Sequence, residues 1–288
     1  MAILDQERLD EIQRIIMRET LLADDAGAAR PYGILQPLYA EQNTRGIDLS
    51  QKIYRLLEVD HLCGDIGASR MTMANIGPLI WKDKLENVLR DATFPDQNGL
   101  GLVEIRSLMD SYYAVCWTDQ PESFKAWRHF GKKSTKIRIE STVGQLLAAL
   151  MQQDDHLCSL RFYAGLVEYR SAQELARWPS EIMPDDLLET TGKKLAQALS
   201  VVQNKYAKQQ EVRIIYSHFD QDAWAQANVT FAEHSGVPTG LARVPCRWDH
   251  VINSIAVRRN FPSASATVLT NTLASAGLNV PMSTSKYV

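Results

Sequence analysis

Gln209, Glu211 and Arg213 alternate through the segment Tyr206-Ala-Lys-Gln-Gln-Glu-Val-Arg-Ile-Ile-Tyr216. On an extended chain that spacing puts them on one face, with Val212, Ile214 and Tyr216 on the other. A carboxylate and an amide two residues apart on a strand point together into one cleft. A fixed carboxylate there stabilises positive charge developing at a ribose carbon as its leaving group departs. It also accepts a hydrogen bond from a ribose 2′-hydroxyl, while the amide orients an incoming nucleophile. Two earlier segments complete such a site. Arg55, ending Ile53-Tyr54-Arg55, supplies a cation for pyrophosphate or ribose. Val115-Cys116-Trp117-Thr118 supplies a wall and a hydroxyl for a planar leaving group. Together they read as a site for NAD consumed as a substrate. Glu211 and Gln209 are then catalytic, and Tyr54, Arg55, Cys116, Trp117 and Thr118 hold the dinucleotide.

Each residue taken singly has a plainer role. A glutamate inside a strand usually faces solvent or an edge. Arg55 alone fits a surface ion pair, and Arg213 fits a partner for Glu211. Thr118 stands shortly before Pro121 and fits a turn or helix cap. Trp127 and Phe130 fit the core. The order of the three segments is what favours the shared site.

The 288 residues suffice for one large domain or two small ones, and 45% hydrophobic with 23% charged residues is ordinary globular composition. A net charge of -3 gives no global basic field that would draw the chain onto nucleic acid. The short basic runs Lys132-Lys133 and Arg258-Arg259 read as solvated surface. His61 with Cys63 and His156 with Cys158 form two H-x-C pairs, but zinc knuckles space their ligands around a turn, so no metal is expected. Four scattered cysteines, a charged start without a leader-like apolar core, and no apolar run of about 20 residues point to a cytoplasmic protein with no membrane partner.

The elements that must position these residues follow from periodicity. An amphipathic helix is expected over 4–22, with a loop over 24–36, so that 1–45 form a helix-and-loop appendage and 46–288 a single domain. Strands are expected at 51–57, 69–74, 113–117, 135–140, 160–169, 210–217, 251–257 and 278–282. Helices are expected at 58–65, 81–90 and 102–112. Others are expected from Pro121 to Gly131, after Ser141, from Pro184 to about Lys208, and over 264–275 up to Gly277. Turns fall at Gly99–Gly101 and around Gly236-Val-Pro-Thr-Gly240. Without regular βαβ spacing the class is α+β.

Two family resemblances build on these residues. The order Tyr54-Arg55, then Cys116-Trp117-Thr118 with Ser123-Phe-Lys-Ala-Trp127, then Gln209-Gln210-Glu211 resembles the ADP-ribosyltransferase superfamily. There an arginine, a Ser-Thr-Ser strand and a Glu/Gln-x-Glu motif occur in that order. Only Thr118 keeps a hydroxyl in the middle motif. The resemblance implies two small, mainly antiparallel sheets forming a cleft, and NAD-dependent transfer to an acceptor other than arginine.

A second resemblance covers most of 52–288, to the bacterial family "domain of unknown function 2971". It rests on Lys52-Ile-Tyr-Arg55, Trp81-Lys-Asp-Lys-Leu-Glu86, Cys116-Trp-Thr118 with Trp127, Val167-Glu-Tyr-Arg170, Gln210-Glu-Val-Arg213 and Ile255-Ala-Val257. The family's Asn-Asp-Pro turn appears here as Lys82-Asp83-Lys84. This resemblance implies a bacterial or phage accessory protein, toxin-like and defence-associated.

Two readings result. One is an NAD-dependent ADP-ribosyltransferase or NAD glycohydrolase acting on protein, nucleic acid or water, with an inhibitory partner protein as a further expectation. The other is a non-catalytic binding module of a defence-associated system. The enzyme requires Arg55, Thr118 and Glu211 to line one open pocket. The module leaves them apart, or seals Glu211 against Arg213 with no room for a ligand.

Overall fold

The computed structural model describes residues 6–95, 101–130 and 133–287. The first residues of the expected N-terminal helix, the turn residue Gly99, the side chain of Phe130, the helix end at Gly131 and the basic residue Lys132 lie outside what is described.

Helix α1 (Gln6–Asp25) carries the expected stripe and buries Ile12 and Ala23. Helix α2 (Tyr32–Gln42) begins inside the expected loop, because Pro31 serves as its N-cap residue and Leu35 and Ala40 are buried. Arg8 of α1 bridges to Glu41 of α2 at 2.8 Å. Gln36 of α2 and Asn43, just beyond it, donate to the carbonyls of Ala148 and Ser159, tying α2 to the body.

The next stretch follows the sequence reading closely: β1 (Thr44–Arg45), β2 (Lys52–Glu58), α3 (Val59–Gly67) and β3 (Arg70–Asn75). The helix expected over 81–90 is replaced by α4 (Pro78–Trp81) and a run of turns, with Lys82 and Asn87 both at positive φ. The helix expected over 102–112 divides. Strand β4 (Thr93–Pro95) pairs with β5 (Leu102–Glu104), and only α5 (Arg106–Asp110) is helical.

Strand β6 (Tyr112–Thr118), α6 (Phe124–Phe130), β7 (Lys136–Thr142) and α7 (Val143–Leu150) come next. Thr142 and Gln145 cap α7 reciprocally, which ends the strand and starts the helix within one residue. The strand expected at 160–169 breaks into β8 (Phe162–Leu166) and β9 (Glu168–Arg170). Helix α8 (Ala172–Glu181) carries a second such cap from Ser171 and Glu174.

The long helix expected from Pro184 to Lys208 does not form. Its place is taken by α9 (Lys193–Ala198), β10 (Val201–Gln203) and a 3₁₀ turn over Asn204–Gln209. The apolar pair Val201-Val202 finds strand partners in Glu168 and Tyr169, which local periodicity does not foreshadow. Strand β11 (Glu211–Ser217) and α10 (Ala223–Asn228) lead into a hairpin of β12 (Thr230–His234) and β13 (Val237–Pro245), built around the stretch read as a turn. Strand β14 (Ser254–Val257), α11 (Ser263–Ser275) and β15 (Met282–Thr284) complete the order.

Most of the pairing is antiparallel, and the mixed α and β composition agrees with the sequence. The expected pair of small sheets is not what the hydrogen bonds draw. Eleven strands join one main sheet, and two further pairs stand apart. That sheet forks at β6. One edge of β6 pairs with β11 along its whole length. Its other edge pairs with β3 at Tyr113 and Ala114, and with β2 only at Thr118. Between these contacts β2 and β3 diverge. Helix α3, the link from one to the other, crosses the opening. The larger core cluster gathers Ile139, Ile214 and Trp117 against the sheet, and Trp127 is fully buried.

Candidate functional site

The fork encloses a cavity of about 590 Å³. Arg55 of β2 and Val115 and Cys116 of β6 form its floor, with Thr72 and Ala74 of β3 on one side. His61 and Asp65 of α3, Trp81 after β3, and His234 and Arg243 of the hairpin complete its walls and rim. The size suits a small molecule, since such sites run from ~300 to 1,000 Å³.

Arg55 is the chemically conspicuous group. Among the described residues no hydrogen bond or ion pair reaches it. Burial pushes its guanidinium down from its ordinary range, and the nearby Asp65 opposes that shift. Asp65 is engaged elsewhere, accepting from the Thr72 hydroxyl at 2.6 Å and the Thr72 N–H at 3.2 Å. A half-buried cation without a hydrogen-bonding partner among the described residues favours an anion in the space before it.

Tyr54, Thr118 and Glu211 lie in one row across three adjacent strands. Thr118 is opposite Glu211 on β11 and opposite Tyr54 on β2. The three sequence segments therefore meet at one place in the sheet. They do not all open into the cavity: Thr118 and Glu211 are not in its lining and Glu211 is closed against Arg213, so the single open pocket expected for the enzyme is not formed. Of the seven residues named from sequence, Arg55 and Cys116 line it. Trp117 belongs to the larger core cluster and does not line the cavity. The ring of Tyr54 stacks under the Arg138 guanidinium at 3.6 Å.

The Thr118 hydroxyl donates to the Gln209 carbonyl at 2.6 Å and accepts from the Gln120 N–H at 3.1 Å. It fastens the approach to β11, as the turn reading of Thr118 anticipates. Gln209 is not on the strand. It ends the 3₁₀ turn, and Gln210 at φ 43° reverses the chain before β11 begins. The expected side-by-side placement of Gln209 and Glu211 on one strand face is thereby lost.

Glu211 is buried, and its Oε1 accepts from Arg213 Nε at 2.6 Å. Arg213 Nη1 donates to Glu86 Oε1 at 2.6 Å and to the Leu199 carbonyl at 2.5 Å, while its plane stacks on Trp81 with 4.9 Å to the ring centre. Desolvation acts against the Arg213 charge, but Glu211 and Glu86 outweigh it and hold the guanidinium well above its ordinary range. The Glu211 N–H donates to the Tyr169 hydroxyl at 2.8 Å. The Cys116 thiol is held well above its ordinary range, by burial first and then by the charge of Glu211. Cys116 and Trp81 both line the cavity, so Glu211 and Arg213 stand directly behind its wall.

Sequence reasoning from the three segments missed Asp65, Trp81 and Glu86 as neighbours of the site. Trp81 and Glu86 do bound one of the motifs quoted for the second resemblance, and Tyr169 lies in another. The structure brings those motifs together around Arg213. His61, first weighed as a metal ligand, lies on the cavity rim. Among the described residues no three His, Cys, Asp or Glu side chains gather as a metal site, and no helix is long and apolar enough to cross a membrane. Lys133 pairs with Glu58 at 3.2 Å.

No family model matches the chain, and no curated protein matches it. Among solved structures, it is similar to Thermus sp. 2.9 DarT in complex with carba-NAD+, at 13% identity and a TM-score of 0.33, covering 84% of this chain and 98% of that one. The same protein in complex with NAD+ gives 15% identity and a TM-score of 0.33, with 83% and 97% covered. In complex with ADP-ribosylated ssDNA it gives 14% identity and a TM-score of 0.34, with 84% and 97% covered.

Proposed function

We propose that the chain is an NAD-dependent ADP-ribosyltransferase-like enzyme that binds the dinucleotide in the cavity of the forked sheet. The observation that carries this is the row Tyr54–Thr118–Glu211 beside a cavity whose floor holds an arginine without an ion-pair partner among the described residues. Arg55 meets the pyrophosphate or ribose. Glu211 accepts the ribose 2′-hydroxyl and stabilises the oxocarbenium-like state. In the step itself the bond from ribose C1′ to the nicotinamide nitrogen breaks, and nicotinamide leaves with the electron pair. A nucleophile on the acceptor, or water, bonds to C1′ and gives up a proton. For Glu211 to reach the ribose, Trp81 and Cys116 must yield, since they stand between it and the cavity. The resemblances add a toxin-type role in bacterial or phage defence.

A second reading has its own support. The Glu211 carboxylate is bonded to a fully buried Arg213 that Glu86 also holds. On that reading the triad is structural and the chain is a binding module whose cavity takes an anionic ligand without cleaving it.

One experiment separates them. Purified protein is incubated with NAD, with and without protein and nucleic-acid acceptors, and released nicotinamide is measured for the wild type and Glu211→Gln. The enzyme releases nicotinamide, and the variant loses it by about 100-fold or more while keeping its circular dichroism spectrum. Equal release from both proteins removes Glu211 from catalysis, and none from either refutes the enzyme. A rise in melting temperature with NAD but no release favours the module.

A further inference from the structure

We infer that Arg213 is a positioning residue for Glu211, and that Glu86 is the counter-charge governing how much of the guanidinium's field Glu211 receives. The inference rests on the transferase reading and deepens it.

The geometry argues for a built device. Arg213 and Glu211 project from the same face of β11, two residues apart, and Cys116 stands opposite Arg213 on β6. The guanidinium is fixed in four ways: by Glu211, by Glu86, by the Leu199 carbonyl at the end of α9, and by the Trp81 ring. A planar fork can serve acceptors on two edges and a ring on its face at once, which an ammonium cannot. The carboxylate of Glu211 is thus oriented by a cation that Glu86 and the Leu199 carbonyl anchor even where the Trp81 ring moves aside. Two carboxylates share that one cation in a place where Arg213 is 1% exposed. The groups facing Glu211 are Arg213 on its own strand, Cys116 on β6, Tyr169 on β9 and, through Arg213, Glu86 on the turns after α4.

The charges have opposite signs, so their removal has opposite effects. Arg213→Met takes a cation from a buried carboxylate and favours its neutral acid. Glu86→Gln removes the competitor and leaves the whole guanidinium charge to Glu211. A scaffold with no electrostatic role has no reason to respond in opposite directions.

The test uses the full chain with carboxyl-carbon-labelled glutamate. Titration of the Glu211 carboxyl is followed by NMR, and the pH profile of nicotinamide release from NAD is measured alongside. Relative to wild type, Glu86→Gln is expected to move both the Glu211 titration and the acid limb of the profile to lower pH, and Arg213→Met to move both to higher pH. Arg213→Met leaves Glu86 buried without its cation. If it fails to fold, Glu86→Gln decides alone, because it keeps the Arg213–Glu211 bond. Shifts in one common direction, or rates lowered equally at every pH with no shift of the limb, overturn the inference while leaving the enzyme standing. Wild-type protein that releases no nicotinamide overturns the transferase reading, and this inference with it.

Discussion

Thr118 faces Glu211 directly across the β6–β11 ladder, yet its hydroxyl is turned to the backbone of Gln209 and Gln120. Thr118 therefore works as a clasp. It holds the reversal at Gln210 that delivers the chain into β11 with Glu211 as its first residue.

That clasp predicts a contrast between two substitutions. Thr118→Ser keeps both hydrogen bonds, and Thr118→Val keeps the shape while losing them. The valine variant is expected to be less stable than the serine variant by about 1 kcal/mol per lost bond, read from urea unfolding. It is also expected to lose more nicotinamide release, because the start of β11 loosens. Equal behaviour of the two would show that shape at this position matters and the hydroxyl does not.

Arg55 yields the reverse pattern. It stabilises nothing through a hydrogen bond or ion pair among the described residues, and its charge is desolvated. Arg55→Gln is expected to leave the melting temperature unchanged or raised. It is also expected to weaken NAD binding roughly 10- to 100-fold, the worth of one charge-assisted hydrogen bond of about 1.5–3 kcal/mol. Isothermal titration with NAD checks the affinity. Unchanged affinity would remove Arg55 from the binding site.

How far the sequence leads can be judged from these same residues. Apolar runs and alternation located β2, β6, β7 and β11, and the order of the segments anticipated that Tyr54, Thr118 and Glu211 meet in one sheet region. The fork was not, because it arises where β6 changes partner from β3 to β2, and no local pattern encodes a change of partner. Gln209 was misplaced for a reason of length: a one-residue left-handed reversal at Gln210 breaks an alternation that reads straight through it. The Arg213–Glu211 pair was legible at a spacing of two. The Arg213–Glu86 pair, 127 residues apart, was not.

A second buried charge cluster lies away from the cavity and bears on stability alone. Arg161 is fully buried, bonds Asp155 at 2.6 Å and Asp222, and packs over Phe219 and Trp224. Its removal leaves Asp155, equally buried, without a cation. Arg161→Met is expected to cost roughly 3–5 kcal/mol, measured by urea unfolding. The fraction that remains folded is expected to bind NAD as the wild type does. A cost under about 1 kcal/mol would mean that the cluster contributes little to the folded state.

His218 joins this cluster to the pH of the medium. Its Nδ1 meets the Tyr216 hydroxyl at 3.0 Å, its Nε2 meets Asp220 at 3.1 Å, and its ring stands edge-on to Phe231. Desolvation holds it below its ordinary value of 6.5; Arg161 adds to that shift, and Asp220 and Asp222 oppose it. The sign follows. Between the folded value and about 6.5 the unfolded chain binds the proton more readily, so stability declines as pH falls through that window. His218→Asn removes this contribution and keeps a polar group beside Tyr216. Unfolding free energies of both proteins at about pH 7.5 and about pH 5.5 isolate it, because the carboxylates common to both cancel. The wild type is expected to lose more stability over that interval than the variant. An equal loss, or a larger one in the variant, would mean that the histidine titrates no lower in the folded chain than in the unfolded one.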